Sequence, residues 1–142
     1  MIERKVILLV EDNTDDEKLM MMSLKRSNIA NEVIVARDGQ EALDKLLGTR
    51  GKPEALKPAV VILDLHLPKI EGLEVLRRIR ADERTKLLPV VVLSSSDEEN
   101  DRVKSYDLGA NSYVCKPVDF GAFAAAVREL GLYWLLLNRP CP

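Results

Sequence analysis

Acidic residues stand directly after two short aliphatic runs. Val6–Val10 is followed by Glu11 and Asp12, and the run ending at Leu63 is followed by Asp64. A hydroxyl, Ser94, closes a third such run, and Lys116-Pro117 follows the segment Ser112–Cys115. If the first two runs are neighbouring strands, three carboxylates meet in one crevice. Two like charges about 4 Å apart repel by roughly 4 kcal/mol at an effective dielectric near 20. A hard divalent cation offsets that repulsion, and Mg²⁺ characteristically takes one or two carboxylates together with phosphate oxygens and water. A hydroxyl and an ammonium both donate hydrogen bonds to phosphate oxygens, and the ammonium adds positive charge. Singly these residues are ordinary. Glu11 and Asp12 read as solvated acids before a helix, Ser94 as a helix cap beside Ser95 and Ser96, and Lys116 as a snorkelling surface lysine. Asp64 resists that treatment, because a carboxylate at the edge of a core is costly. Together, acid, acid, hydroxyl and lysine at successive strand ends describe a place for a cation and a phosphoryl group.

The elements that must position these groups are legible as an alternation. Val6–Val10, Ala59–Leu63 and Val90–Leu93 are continuous Val, Ile and Leu runs of the kind buried on both faces of a parallel sheet. Val33–Ala36 and Ser112–Cys115 are weaker strands of the same flavour. Between them lie helical signals. Thr14 or Asp15 caps a helix through about Ser27, and Asp38-Gly39 precedes one over Gln40–Leu47. Gly72 leads into Leu73–Arg80, and Ser96 or Asp97 starts a helix to Asp107 that Gly109 stops. A last helix runs from Asp119 to about Leu137, with Gly131 a tolerable flaw. Strand and helix in alternation predict an α/β, doubly wound, five-stranded parallel sheet with helices on both faces. Such sheets bind ligands outside the carboxyl ends of their strands. Gly48–Pro58 is the one long loop.

Composition narrows the classes. A chain of 142 residues, 46% hydrophobic, holds one ordinary domain with a buried core and leaves no room for a separate effector. Lys and Arg number 21 against 23 Asp and Glu, a net charge of -2 that argues against nucleic-acid wrapping and against an anionic membrane surface. No apolar run approaches the roughly 18 residues of a membrane span, and the five after Lys5 fall short of a secretory signal. Cys115 and Cys141 have no disulfide or metal-ligand spacing, which places the chain in a reducing cytoplasm.

Val10-Glu11-Asp12-Asn13, Asp64 with Leu67-Pro68 and Gly72, Ser94, and Tyr113 followed by Lys116-Pro117 together resemble the receiver domain of two-component response regulators, over essentially the whole chain. The resemblance implies a flavodoxin-like sheet of strand order 2-1-3-4-5. It implies that Asp64 accepts a phosphoryl group from a sensor histidine kinase. Asp12, Asp64 and the backbone carbonyl of His66 would ligate Mg²⁺, with Glu11 acting through water. Lys116 would pair with the phosphoryl oxygens ahead of a cis bond to Pro117, and Ser94 and Tyr113 would be the moving parts. His66, two residues after Asp64, and Ser94, where Thr is more frequent, depart from the commonest pattern. Neither removes a required chemical group.

Apolar residues lie all round the last helix. Phe120, Phe123, Val127, Leu130, Trp134 and Leu137 share one face, with Leu132 and Leu136 opposite and Tyr133 on a flank. A second buried surface explains that distribution. The Gly48–Pro58 loop, Ser105–Leu108, Tyr133-Trp134-Leu135 and Pro140 make the chain similar to the single-domain response regulators that partner phytochromes. That likeness implies a homodimer using Tyr106, Leu132, Tyr133 and Leu136, with residues 119–142, the last helix plus the C-terminal tail, in the interface. It also implies a bacteriophytochrome-type kinase as partner, with output by protein contact. Two other readings use the same residues. One is an intermediate in a multistep phosphorelay. The other is an aspartyl-phosphate phosphatase, which is disfavoured because His66 stands where the second Asp of such enzymes is expected. A nucleotide or flavin carrier lacks support, since Asp12-Asn13-Thr14 replaces a Gly-rich loop after the first strand.

Overall fold

Alternate residues of each strand point to opposite faces of a sheet, and the apolar residues divide accordingly. In a computed structural model that describes residues 6–26, 31–49, 55–95, 99–116, 121 and 125, the order is β1 Val6–Val10, α1 Thr14–Arg26, β2 Glu32–Ala36, α2 Gly39–Leu47, β3 Val60–Asp64, α3 Gly72–Ala81, β4 Val90–Ser94, α4 Glu99–Asp107 and β5 Ser112–Cys115. All strands are parallel, in the order β2-β1-β3-β4-β5. One core layer joins Leu8, Val10, Val61, Leu63, Val90 and Val92 to Leu43 and Leu46 of α2 and to Val75, Leu76 and Ile79 of α3. The other joins Ile7, Leu9, Val60, Ile62, Val91, Leu93 and Val114 to Met20 and Leu24 of α1. The expected doubly wound α/β sheet is the one observed. Each fully buried Val, Leu or Ile contributes about 1.5–3 kcal/mol of transfer free energy, so β3 and β4, buried at every position, are the sheet's anchor.

Several boundaries differ from the sequence reading by a residue, β2 beginning at Glu32 and β3 at Val60 among them, and three of the differences follow from pairing or capping. β3 and β4 extend one residue further, to Asp64 and Ser94, because the ladder continues through Asp64↔Leu93 and Ser94↔Cys115. Both polar side chains are therefore set by sheet geometry. Asn13, and not Thr14 or Asp15, caps α1: its Oδ1 accepts the backbone N–H of Asp15 at 2.9 Å and of Asp16 at 3.0 Å. Asp38 caps α2 as expected, accepting from the Glu41 N–H at 2.8 Å. The triple methionine of α1 splits, with Met20 in the core and Met21 and Met22 exposed. Leu132, Tyr133 and Leu136, expected on the last helix, lie outside the described residues, as does Pro117 with the bond expected to be cis.

Candidate functional site

β1 and β3 are neighbours, so Glu11, Asp12 and Asp64 emerge side by side at the carboxyl edge of the sheet, where the chain order reverses between β1 and β3. One oxygen from each lies within 4.8 Å of the others, close enough to share a cation. Glu11 and Asp64 are buried at 1% and 4% exposure, and Asp12 faces solvent. The Glu11 peptide continues the sheet edge, its N–H donating to Ala36 O at 2.9 Å. The loop after Asp64 folds back on it: the His66 N–H donates to Asp64 Oδ1 at 3.1 Å, while the His66 side chain stays exposed. Gly72 lets α3 start against this loop. A Cβ there would stand 2.5 Å from Asp64 O and 2.7 Å from Leu65 Cα, so any larger residue displaces the backbone carrying Asp64.

Lys116 enters from the end of β5. Its N–H donates to Ser94 O at 2.7 Å, which fastens it beside β4. The ammonium, 10% exposed, lies 2.6 Å from Glu11 Oε1, 3.1 Å from Asp64 Oδ2 and 3.0 Å from Asp16 Oδ2. A lysine snorkelling at the surface is thus not what forms. Burial alone would lower its pKa; the hydrogen bonds and charges of Glu11, Asp16 and Asp64 outweigh burial and raise it. Glu11 is pushed up to about 7, first by burial and then by Asp64, with Lys116 opposing. The Asn13 N–H reaches Glu11 Oε2 at 3.4 Å, whereas Oε1 is buried without a well-directed donor despite the nearby ammonium. An under-served buried oxygen among repelling carboxylates is the environment a hard cation satisfies.

Ser94 is fully buried, and Tyr113 is half-buried with its phenol within hydrogen-bonding reach of Ser94. Burial raises the Tyr113 pKa, partly opposed by that bond. Arg102 of α4 lies over the Tyr113 ring, 5.7 Å from its centroid, a cation–π distance. Tyr106 stands 46% exposed on α4. The site brings together Glu11, Asp12, Asp64, Lys116, Ser94 and Tyr113. Reasoning from sequence missed Asp16 and Arg102. Asp16 sits in an acidic first turn, Asp15-Asp16-Glu17, that local rules assign to the helix dipole. Only the strand order shows that one of these acids faces Lys116.

Comparison with known proteins converges on one family. Residues 7–128 match the model of the response regulator receiver domain. The chain is 41% identical to the probable methanogenesis regulatory protein FilR2 of Methanothrix harundinacea, across 94% of this chain and 86% of that protein. It is 39% identical to the response regulator Rcp1 of Synechocystis sp., across 92% and 89%. A solved bacteriophytochrome response regulator, AtBRR, superposes with a TM-score of 0.84 at 49% identity, covering 97% of this chain and all of that one. Rcp1 has a structure described as its Mn(2+)-bound form, with a TM-score of 0.77 to this chain at 38% identity, covering 97% and 99%.

Proposed function

We propose that this chain, which belongs to the response regulator receiver family of two-component signalling, takes a phosphoryl group onto Asp64 from a sensor histidine kinase and passes the change on by protein contact. The observation that carries this reading is the Lys116 ammonium buried between carboxylates at the end of β3. A carboxylate oxygen of Asp64 attacks phosphorus in line with the donor nitrogen. The new O–P bond forms as the P–N bond breaks, and the electron pair leaves on an imidazole kept neutral by the proton on its other nitrogen. Phosphoryl transfer asks the protein mainly for positioning and charge neutralisation. Lys116 supplies positive charge at the transferred oxygens, and Ser94 supplies a hydroxyl donor. Glu11, Asp12, Asp64 and the His66 carbonyl are the groups that would hold Mg²⁺, which when bound shields the carboxylates from the incoming phosphoryl oxygens. Loss of the group reverses the charge change: water attacks phosphorus, inorganic phosphate departs and the Asp64 carboxylate returns. Uptake and loss are both self-catalysed in this reading.

A phosphoryl group at Asp64 draws the Ser94 hydroxyl toward it, and Tyr113 follows into the space beside β4. The surface of α4 and β5 then repacks, a two-state element biased by a local charge. We infer that all 142 residues form one receiver unit in the cytoplasm. Among the described residues no helix is long and apolar enough to cross a membrane. Residues 119–142, with Leu132, Tyr133 and Leu136, join Tyr106 in a homodimer surface. The kinase is of the phytochrome class, supported by the likeness to the bacteriophytochrome response regulator AtBRR. Asp64→Asn is expected to abolish phosphate incorporation from acetyl phosphate with Mg²⁺; labelling of that variant at the wild-type rate contradicts the assignment. Sedimentation tests the dimer: a monomer at high micromolar concentration, phosphorylated or not, removes it.

A further inference from the structure

Lys116 is held from three sides by acids, and one of the three lies outside the set that can share a cation. The ammonium has three N–H donors. It donates hydrogen bonds to Asp64 Oδ2 and Asp16 Oδ2 and makes its closest ion pair with Glu11 Oε1. Glu11 and Asp64 belong with Asp12 to the cation cluster; Asp16 comes from the first turn of α1. Its backbone is fixed there by the Asn13 cap. Once a divalent cation takes up Glu11 and Asp64, two of the three contacts that hold the ammonium are shared with a competing positive charge. Lys is a compact point charge on a flexible four-carbon stem and goes where its partners are. Resting on Asp64 as phosphoacceptor, we propose that Asp16 is a positioning residue that keeps the Lys116 ammonium at the phosphoryl side of the site while a cation engages Glu11, Asp12 and Asp64.

Without Asp16 the ammonium has no described partner of its own in the metal-loaded site. It then spends less time where the transferred oxygens must pass. Acetyl phosphate as donor isolates this effect, because α1 need not dock a kinase. With saturating Mg²⁺, Asp16→Ala is expected to lower the maximal phosphorylation rate about tenfold, the size of one charge-assisted hydrogen bond. The half-saturating donor concentration and the Mg²⁺ affinity stay unchanged. Asp16→Glu recovers most of the rate. In a Lys116→Met background, Asp16→Ala has no further effect, because its action runs through the ammonium. A wild-type rate in Asp16→Ala, or the full loss repeated in the Lys116→Met background, overturns the inference. The ¹⁵Nζ resonance of Lys116 in the Mg²⁺-loaded chain gives a readout independent of phosphoryl transfer. It shifts in Asp16→Ala if the contact persists with metal, and an unchanged resonance overturns the inference. Failure of the Asp64 reading looks different: the wild-type chain itself incorporates no phosphate at Asp64, whatever the Lys116 resonance does.

Discussion

Two cationic side chains secure opposite ends of the sheet, and they are held by opposite chemistry. At the carboxyl ends, the Lys116 ammonium sits among Glu11, Asp16 and Asp64. At the amino ends of β4 and β5, the Arg80 guanidinium donates to Gly109 O at 2.9 and 2.7 Å, Lys86 O at 3.0 Å, Leu88 O at 2.6 Å and Asn111 Oδ1 at 2.9 Å. Its hydrogen-bond acceptors among the described residues are all neutral. Burial accordingly lowers the Arg80 pKa, whereas carboxylates overcome burial and raise that of Lys116. The planar fork of Arg80 uses every donor in a fixed arrangement, joining α3, the approach to β4 and the turn after α4. Gly109 completes it, since a Cβ there would stand 2.8 Å from Arg80 Nε on a backbone already at φ +99. The ammonium is a point charge whose partners can be exchanged. One cation fixes the scaffold, and the other is free to respond to a ligand.

Swapping the roles breaks that contrast in a measurable order. Lys116→Met removes a charge aimed at the developing phosphoryl oxygens, and the acetyl phosphate labelling rate falls about a hundredfold or more, near 3 kcal/mol of transition-state stabilisation. Arg80→Met leaves the part-buried carbonyls of Leu88 and Gly109 without their donor and costs about 1–2 kcal/mol in urea unfolding, with the labelling rate held within about twofold because the sites are remote. A large labelling defect in Arg80→Met would dissolve the distinction between the two ends.

Glu11 sharpens it through pH. With its pKa near 7, the carboxyl holds a proton below that value that a cation must displace. Mg²⁺ affinity, read by titration calorimetry, is expected to fall about tenfold per pH unit below pH 7 and to level off above it. In the metal-free chain the sign for stability is reversed. The folded state binds the Glu11 proton more tightly than the unfolded chain does, so the contribution is full below pH 4.5 and lost as pH rises through 7. Arg102→Leu gives the smallest effect. Losing the cation over the Tyr113 ring shifts the inward population by about 0.5–1 kcal/mol, visible in the ¹⁹F signal of fluorotyrosine at that position.

The contrast also explains which features were legible in the sequence. Aliphatic runs ending in Glu11-Asp12, Asp64 and Ser94 mark the strands and their functional ends together, because strands buried on both faces are continuously apolar and the first polar residue stands at their end. Strand ends shifted by one residue where cross-strand pairing carries a polar residue into the ladder, which local propensity does not register. Asp16 was hidden because Asp15, Asp16 and Glu17 are equivalent in a helical first turn, and only packing selects the one that faces Lys116. The Arg80 anchor was invisible for a further reason. Its acceptors are mostly backbone carbonyls, which any residue type supplies.

The most direct test of the account is to locate the phosphoryl group. Intact mass and fragment mass spectrometry after acetyl phosphate treatment should find one phosphoryl group per chain, on Asp64, only when Mg²⁺ or Mn²⁺ is present. A group on another residue, or full labelling of Asp64 with the cation removed by chelation, would contradict it.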